Sequence, residues 1–530
     1  MVSFTQCPCW PCDDEFRTTP QRLHDISMEK AAQISEIDTE VHNAVLALLR
    51  KCVVLNRKRN ALLPAVNLPL EILATIFELA CTPDGSDETG YFSTFLTAKF
   101  WRNATQDDRY SRPGPLYIGR VCSVWRDIAL GTPQLWNSIQ LEVNRWGDEG
   151  KQAAALQYWL SNSGNRPLAV GLVEMDEVEN IYDMPTAVID VLVPYAHRLD
   201  TATLLITKNW EPALRRIGKR AVSLQSLVLI KPYDTDHIEN IPFFSRAPKL
   251  RNIRIIRYGL AGVLLPMQLI EHLTMDSRGY TIDFVKMIRL CPNLRHFSLR
   301  VMSDIVLDSN APAELLMHSR LQSLSLSFDE QTDLASRLQG LTLSMLQSFE
   351  LCIDDGTDKT LPKLPPFLVR SSSTLRILSL RGQYISEDDL VECLRALSEL
   401  RELYFEAREI SQDFFLFMSP KDHSMVDLKH ALDKDDGRRI VAPNLITFNC
   451  FIKNVAHPHS LISFLENRWD DQQWLREASD AEKPSRNPNT LVEKLRSATF
   501  KGFRVHLEDE DDAVLRRLRR EGMYVELQNC

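Results

Sequence analysis

Glycine is scarce in this chain, 19 of 530 residues, about half the usual share. Phosphate-cradling loops and nucleophile elbows are built on glycine, and neither pattern occurs. No stretch of about 18 uninterrupted apolar residues is present, which argues against a helical membrane span. The start, MVSFTQCPCWPCDDEF, has neither a basic opening nor an apolar core, so it does not read as a secretory signal. A basic excess is missing as well. The formal net charge of −9 disfavours general nucleic-acid binding, because neutralising phosphates requires surplus Lys and Arg. The 11 cysteines follow no RING spacing. Cys7, Cys9 and Cys12 cluster, but no fourth ligand stands at a zinc-finger distance, so neither a metal nor a cofactor is expected. Without a secretory signal, scattered thiols fit a reducing setting, cytoplasmic or nuclear. His457 and His459 are a pair of histidines in an expected loop with no nucleophile beside them, and no enzyme activity is expected.

What remains is ordinary in composition, 44% hydrophobic and 25% charged. A chain of this length exceeds a single core, so at least two structural units are expected. Residues 1–27 read as an unstructured tail. From 28 to 62 there is neither Gly nor Pro, and Ile34, Ile37, Val41, Ala44, Leu48 and Leu55 follow 3-4 spacing. That is a weak heptad seam, with Lys51 and Lys58 at two inner positions. The expectation is an accessory helix packed within its own domain, with a parallel coiled-coil dimer as the alternative.

From about 160 to the end the chain repeats. The unit is an apolar residue, two variable, an apolar, one variable, an apolar. LQSLVL from Leu224, LRHFSL from Leu294, LQSLSL from Leu321 and LRILSL from Leu375 are examples. Eight regular copies begin at Leu224, Leu250, Ile270, Leu294, Leu321, Leu346, Leu375 and Leu400, and looser ones at Leu199, Leu445 and Leu495. The spacing matches the leucine-rich repeat, roughly 20–29 residues per unit. Such an array implies an α/β solenoid with a parallel sheet on its concave face and helices outside. Insertions are expected near 407–440 and 467–490, and a closing helix and strand at EDEDDAVLRRLRREGMYVEL. The third, fifth and seventh positions of each unit are expected on the open face of the sheet. They place Arg254, Arg300, Glu350, Arg381, Glu402 and Tyr404 there, with Ser298, Ser323, Ser325 and Ser379, as candidates to bind a target protein.

Two stretches before the repeats carry a different pattern. VNLPLEILATIFEL, from Val66, has proline at a helix start, where its missing N–H is harmless, followed by apolar residues around most of the helix. A helix apolar on more than one face needs more than one neighbour. VCSVWRDIALGTPQLW, from Val121, is a second helix closed by Gly131 and Pro133. In that order the two resemble the F-box-like domains of mushroom-forming fungi. The resemblance implies an all-α domain over residues 63–145, here with an inserted loop at 81–115. It also implies docking onto a Skp-type adaptor, and through it a cullin ubiquitin ligase, by Leu68, Pro69, Glu71, Ile72, Ile76, Phe77, Val121, Cys122 and Trp125. The implied function is a substrate receptor for ubiquitination, with neither membrane nor nucleic acid as partner. The alternative is a repeat scaffold with no ligase role.

Overall fold

The computed structural model describes residues 28–81, 114–144, 147–174, 184–231, 244–257, 265–278, 283–302, 315–328, 334–353, 364–382, 384–419, 441–455, 458–469, 493–501 and 509–528. The expected tail and its cysteine cluster, most of the 81–115 insertion, His457, and residues 420–440 and 470–492 lie outside them. The described chain forms two compact units, with the division at Leu135/Trp136.

The first unit is helical. Helix α1 (Met28–Asn60) is followed by a 3-10 turn at Pro64–Val66, then α2 (Leu70–Cys81), the single turn α3 (Pro115–Ile118) and α4 (Ser123–Gly131). Proline opens two of these elements, where its fixed φ fits the first turn. Helix α4 starts at Cys122, which has extended backbone and whose Sγ accepts from the Trp125 N–H at 3.5 Å. The expected packing of α1 within its domain is not found. Its seam residues Ile37, Val41, Leu48 and Leu55 are all more than half exposed, because no described element lies against them.

The second unit is an α/β layer around one sheet of fourteen strands, in the order β1-β2-β3-β4-β5-β6-β7-β9-β11-β12-β13-β14-β15-β16. The strands are β1 (Ser138–Val143), β2 (Leu168–Glu174), β3 (Leu199–Leu205), β4 (Ser226–Ile230), β5 (Asn252–Ile256), β6 (His272–Arg278) and β7 (His296–Met302). They continue with β9 (Ser323–Phe328), β11 (Ser348–Ile353), β12 (Ile377–Arg381), β13 (Glu402–Ile410), β14 (Thr447–Val455), β15 (Ser497–Lys501) and β16 (Tyr524–Gln528). Every pairing is parallel and joins strands consecutive in the sheet, as in a solenoid. The short β8 (Leu316–His318) and β10 (Leu341–Leu343) pair apart from it.

The repeat unit explains the register. Its first, fourth and sixth positions are buried in every regular copy, for instance Leu224, Leu227 and Leu229, or Leu375, Leu378 and Leu380. Successive strands align these positions, so that Phe297, Leu324, Phe349, Leu378, Leu403 and Phe448 form one continuous row. Burying a side chain of this size contributes roughly 1.5–3 kcal/mol, so one such row outweighs any single polar contact in the sheet. Helices between strands are capped by their own sequence. Asp148, Asp283 and Ser386 accept from the backbone N–H three residues on, at 3.0, 3.1 and 3.2 Å.

Five expectations need correction, beginning with the uncovered α1. The sheet begins at Ser138 rather than near 160, so the helical unit stops before 145: the Ser-Ile-Gln-Leu-Glu-Val run alternates as a strand and pairs with β2. The supposed insertion from 407 is ordered structure up to 418. Strand β13 runs to Ile410, and the following helix Gln412–Met418 buries Phe414, Phe415 and Met418. The second insertion likewise starts later, because the helix Pro458–Trp469 runs through 467. Finally, the seventh repeat position is not uniformly open, since Ile230, Ile256 and Asp276 are buried.

Candidate functional site

In the first unit, the sequence Leu-Glu-Ile-Leu-Ala-Thr-Ile-Phe-Glu-Leu-Ala-Cys places two apolar faces on α2. Leu73, Phe77 and Cys81, each four residues apart, point inward and are 2% exposed. Phe77 meets the Trp125 ring of α4 at 5.0 Å and 60°, and Ile128 and Ala129 complete this small core. Burial pushes the Cys81 thiol up to about 11. The other face of α2 is open. Ile72, Ile76 and Leu79 are between 44% and 68% exposed, with Leu68 at 40% just before the helix, and Leu70, 62% exposed, borders the side towards α4. Val121 and Val124 add 54% and 37% from the second segment.

Between α2 and α4 lies a cavity of about 500 Å³, lined by Leu70, Glu71 and Ala74 on one side and Val124, Asp127, Ile128, Gly131 and Thr132 on the other. A Cβ on Gly131 would meet nothing within 4 Å, so the mouth is open there. Among the described residues neither Glu71 nor Asp127 is ion-paired, which leaves two exposed carboxylates beside an apolar groove. The arrangement can bind an apolar side chain flanked by a base.

The nine residues expected to dock the adaptor therefore separate. Leu68, Pro69, Glu71, Ile72, Ile76 and Val121 are exposed. Phe77 is buried, and Cys122 is occupied in capping α4. Trp125 is half-buried against Phe77. These three support the face from beneath rather than forming it. Leu79, absent from the expected set, is its most exposed member. Helical spacing from Ile72 and Ile76, seven and three residues away, was the signal that could have found it.

On the open side of the sheet in the second unit, three of the six target candidates converge. Ser325 donates to Glu350 at 3.0 Å, and Arg381 lies 3.8 Å from the same carboxylate. The Arg381 guanidinium also stacks over the Tyr404 ring at 4.5 Å and donates to Ser379 Oγ at 3.1 Å. Parallel register brings these groups together, since Ser325, Glu350, Ser379 and Tyr404 occupy equivalent positions on β9, β11, β12 and β13. Burial first, then the Glu406 carboxylate, raises the Tyr404 hydroxyl above its ordinary value. Glu402 sits one residue pair away, beside Ile377 and Thr447. Arg300 lies on β7 and Arg254 on β5, at least two strands from Glu350 on β11, and neither joins the cluster. A stacked pair, His272 and His296, occupies another part of this face, with ring centroids 4.4 Å apart.

His459 Nδ1 approaches the buried Asp511 at 2.9 Å, joining the helices Pro458–Trp469 and Asp509–Arg520. Among the described residues no group of three or more His, Cys, Asp or Glu could hold a metal, and no helix is long and apolar enough to cross a membrane. No family model matches the chain, and no curated protein matches it.

Proposed function

We propose that this protein is an F-box-like substrate receptor with leucine-rich repeats. In this reading the open face of α2 and its groove dock a Skp-type adaptor of a cullin ubiquitin ligase, and the outer face of the sheet holds the target. One observation carries it: an apolar helix face left open in a small helical unit that already has its own core. Single exposed apolar residues are ordinary, but Leu68, Ile72, Ile76 and Leu79 line one side of a single helix and its entry. The repeat array that follows it in the sequence supplies a broad, preorganised surface of mixed charge, centred on Glu350, Arg381 and Tyr404.

The test is co-purification of the full chain with a Skp-type adaptor, comparing wild type with Ile72→Asp/Ile76→Asp. Both side chains are about half exposed, so docking would remove a further ~1 kcal/mol of apolar surface from water at each. Burying two carboxylates adds more, and a total of about 3 kcal/mol corresponds to roughly 100-fold weaker binding. Since neither residue belongs to the Phe77 core, helicity is expected to be retained. Absence of binding by the wild type, or equal binding by the variant, refutes the ligase role and leaves the scaffold reading.

A further inference from the structure

Helix α1 runs for 33 residues, about 50 Å, with its apolar stripe open. Ile37, Val41, Leu48 and Leu55 are 58%, 56%, 62% and 64% exposed, and Val45, Leu49 and Val53 beside them about half exposed. Its charges are separated along its length. Glu29, Glu36, Asp38 and Glu40 share the first half with only Lys30. Arg50, Lys51, Arg57, Lys58 and Arg59 fill the second half without one acid. The helix dipole favours acid at the start and base at the end, but its influence fades within one turn. Glu36, Asp38 and Glu40 lie two or more turns from the N-terminus, and Arg50 and Lys51 more than two from the C-terminus, so the dipole does not account for them.

We propose that α1 pairs with α1 of a second copy of this chain, side by side and antiparallel. The seam chooses the orientation. Its inner positions are Ile34, Ile37, Val41, Ala44, Leu48, Lys51, Leu55 and Lys58. A parallel pair in register would stack Lys51 on Lys51 and Lys58 on Lys58 inside the seam, with acid facing acid and base facing base elsewhere. Reversing one helix removes each conflict. Leu55 then meets Ile37 of the second copy, and Leu48 meets its Ala44. Lys51 lies across Val41 and Lys58 across Ile34, each covering an apolar neighbour with its methylene stem. Their ammonium groups come beside Glu40 and Glu36 of the second copy, and the two-fold axis repeats every contact. This pairing does not depend on the adaptor-docking reading, because it uses a different helix.

The experiment is mass measurement by light scattering of the full chain eluting from a sizing column. The wild type is expected at twice the 60.8 kDa chain mass. Lys51→Glu/Lys58→Glu sets acid against acid in the antiparallel pair, and roughly tenfold or weaker association is expected. Adding Glu36→Lys/Glu40→Lys to that variant restores opposite charges and is expected to restore the dimer. In a parallel pair residues 51 and 40 are far apart, and the second change rescues nothing. A wild-type chain that elutes as a monomer at every concentration overturns the proposal, as does a dimer indifferent to Lys51→Glu/Lys58→Glu or not rescued by the charge swap.

Discussion

Gly382 and Gly522 both have positive φ, +82° and +101°, yet their surroundings differ. A Cβ on Gly382 would lie 2.2 Å from the Ile353 carbonyl oxygen and 2.7 Å from its carbon, whereas one on Gly522 would meet nothing within 4 Å. Alanine at either position takes the left-handed backbone penalty of about 1–2 kcal/mol. Stiffening the unfolded chain returns about 0.4–1 kcal/mol of that. Gly522→Ala is therefore expected to cost about 1 kcal/mol. At Gly382 the same net penalty is joined by a collision with backbone, which has no rotamer to yield. Ile353 ends β11, the strand paired with β12, so the ladder itself must shift by about 1 Å; overpacking of this kind costs about 1–3 kcal/mol. The sum for Gly382→Ala is about 2–4 kcal/mol. Urea unfolding followed by far-ultraviolet circular dichroism measures both variants. Tryptophan fluorescence serves as a second probe, since repeat arrays need not unfold in one step. Equal losses for the two variants, or a smaller one at Gly382, would refute the backbone geometry assigned to β11 and β12. Gly382 also follows Arg381 directly, so a displaced ladder moves the Glu350–Arg381–Tyr404 cluster with it.

Two further outcomes follow from buried polar chemistry. The Arg468 side chain is fully buried and donates to the carbonyls of Met418, Val441 and Ala442 at 3.1, 2.8 and 3.1 Å. Arg468→Met leaves three buried acceptors without that fork and is expected to cost about 3–5 kcal/mol in urea unfolding, with Arg468→Lys recovering little; a loss under 1 kcal/mol would contradict the geometry. Burial pushes the thiols of Cys81 and Cys291 up to about 11 and Cys393 to about 12, and raises Cys450 well above its ordinary value. A pKa raised by folding means the native state keeps its proton where the unfolded chain, at about 9, has lost it. Stability is thus full below about pH 9 and falls as pH climbs towards 11–12, by about 1.4 kcal/mol at pH 10 for each of Cys81, Cys291 and Cys393. At pH 8 a thiol reagent should label the exposed Cys52 and spare these four, which peptide mass mapping decides.

The repeats were legible because leucine marks three buried positions in each unit and Ser, Arg or Glu the exposed ones. Strand β1 was missed for the same reason. Ser-Ile-Gln-Leu-Glu-Val alternates polar and apolar residues but lacks the leading leucine two residues before the strand. On α2 the sequence could not separate the open face from the core, because Leu, Ile and Phe surround the helix. The inner face is marked only by the third member of its four-residue series, Cys81, a small hydrophobe easily passed over. Arg468 was invisible for a converse reason: an arginine in a helix ordinarily reads as exposed, and only the three carbonyls converging on it explain its burial. The clustering of Ser325, Glu350, Arg381 and Tyr404 depended on register, which repeat spacing anticipated to within a residue.

The strand order bears on how the chain can be made. Each strand of the large sheet pairs with one already earlier in the sequence, so a growing chain always meets a finished template. Loop closure stays short, and no strand edge waits long for a distant partner, which limits the time an unpaired edge is exposed to other chains. Strand β8 is the exception among the described strands. Its partner β10 arrives only after β9 has joined the main sheet, so that small ladder must close around a repeat already in place.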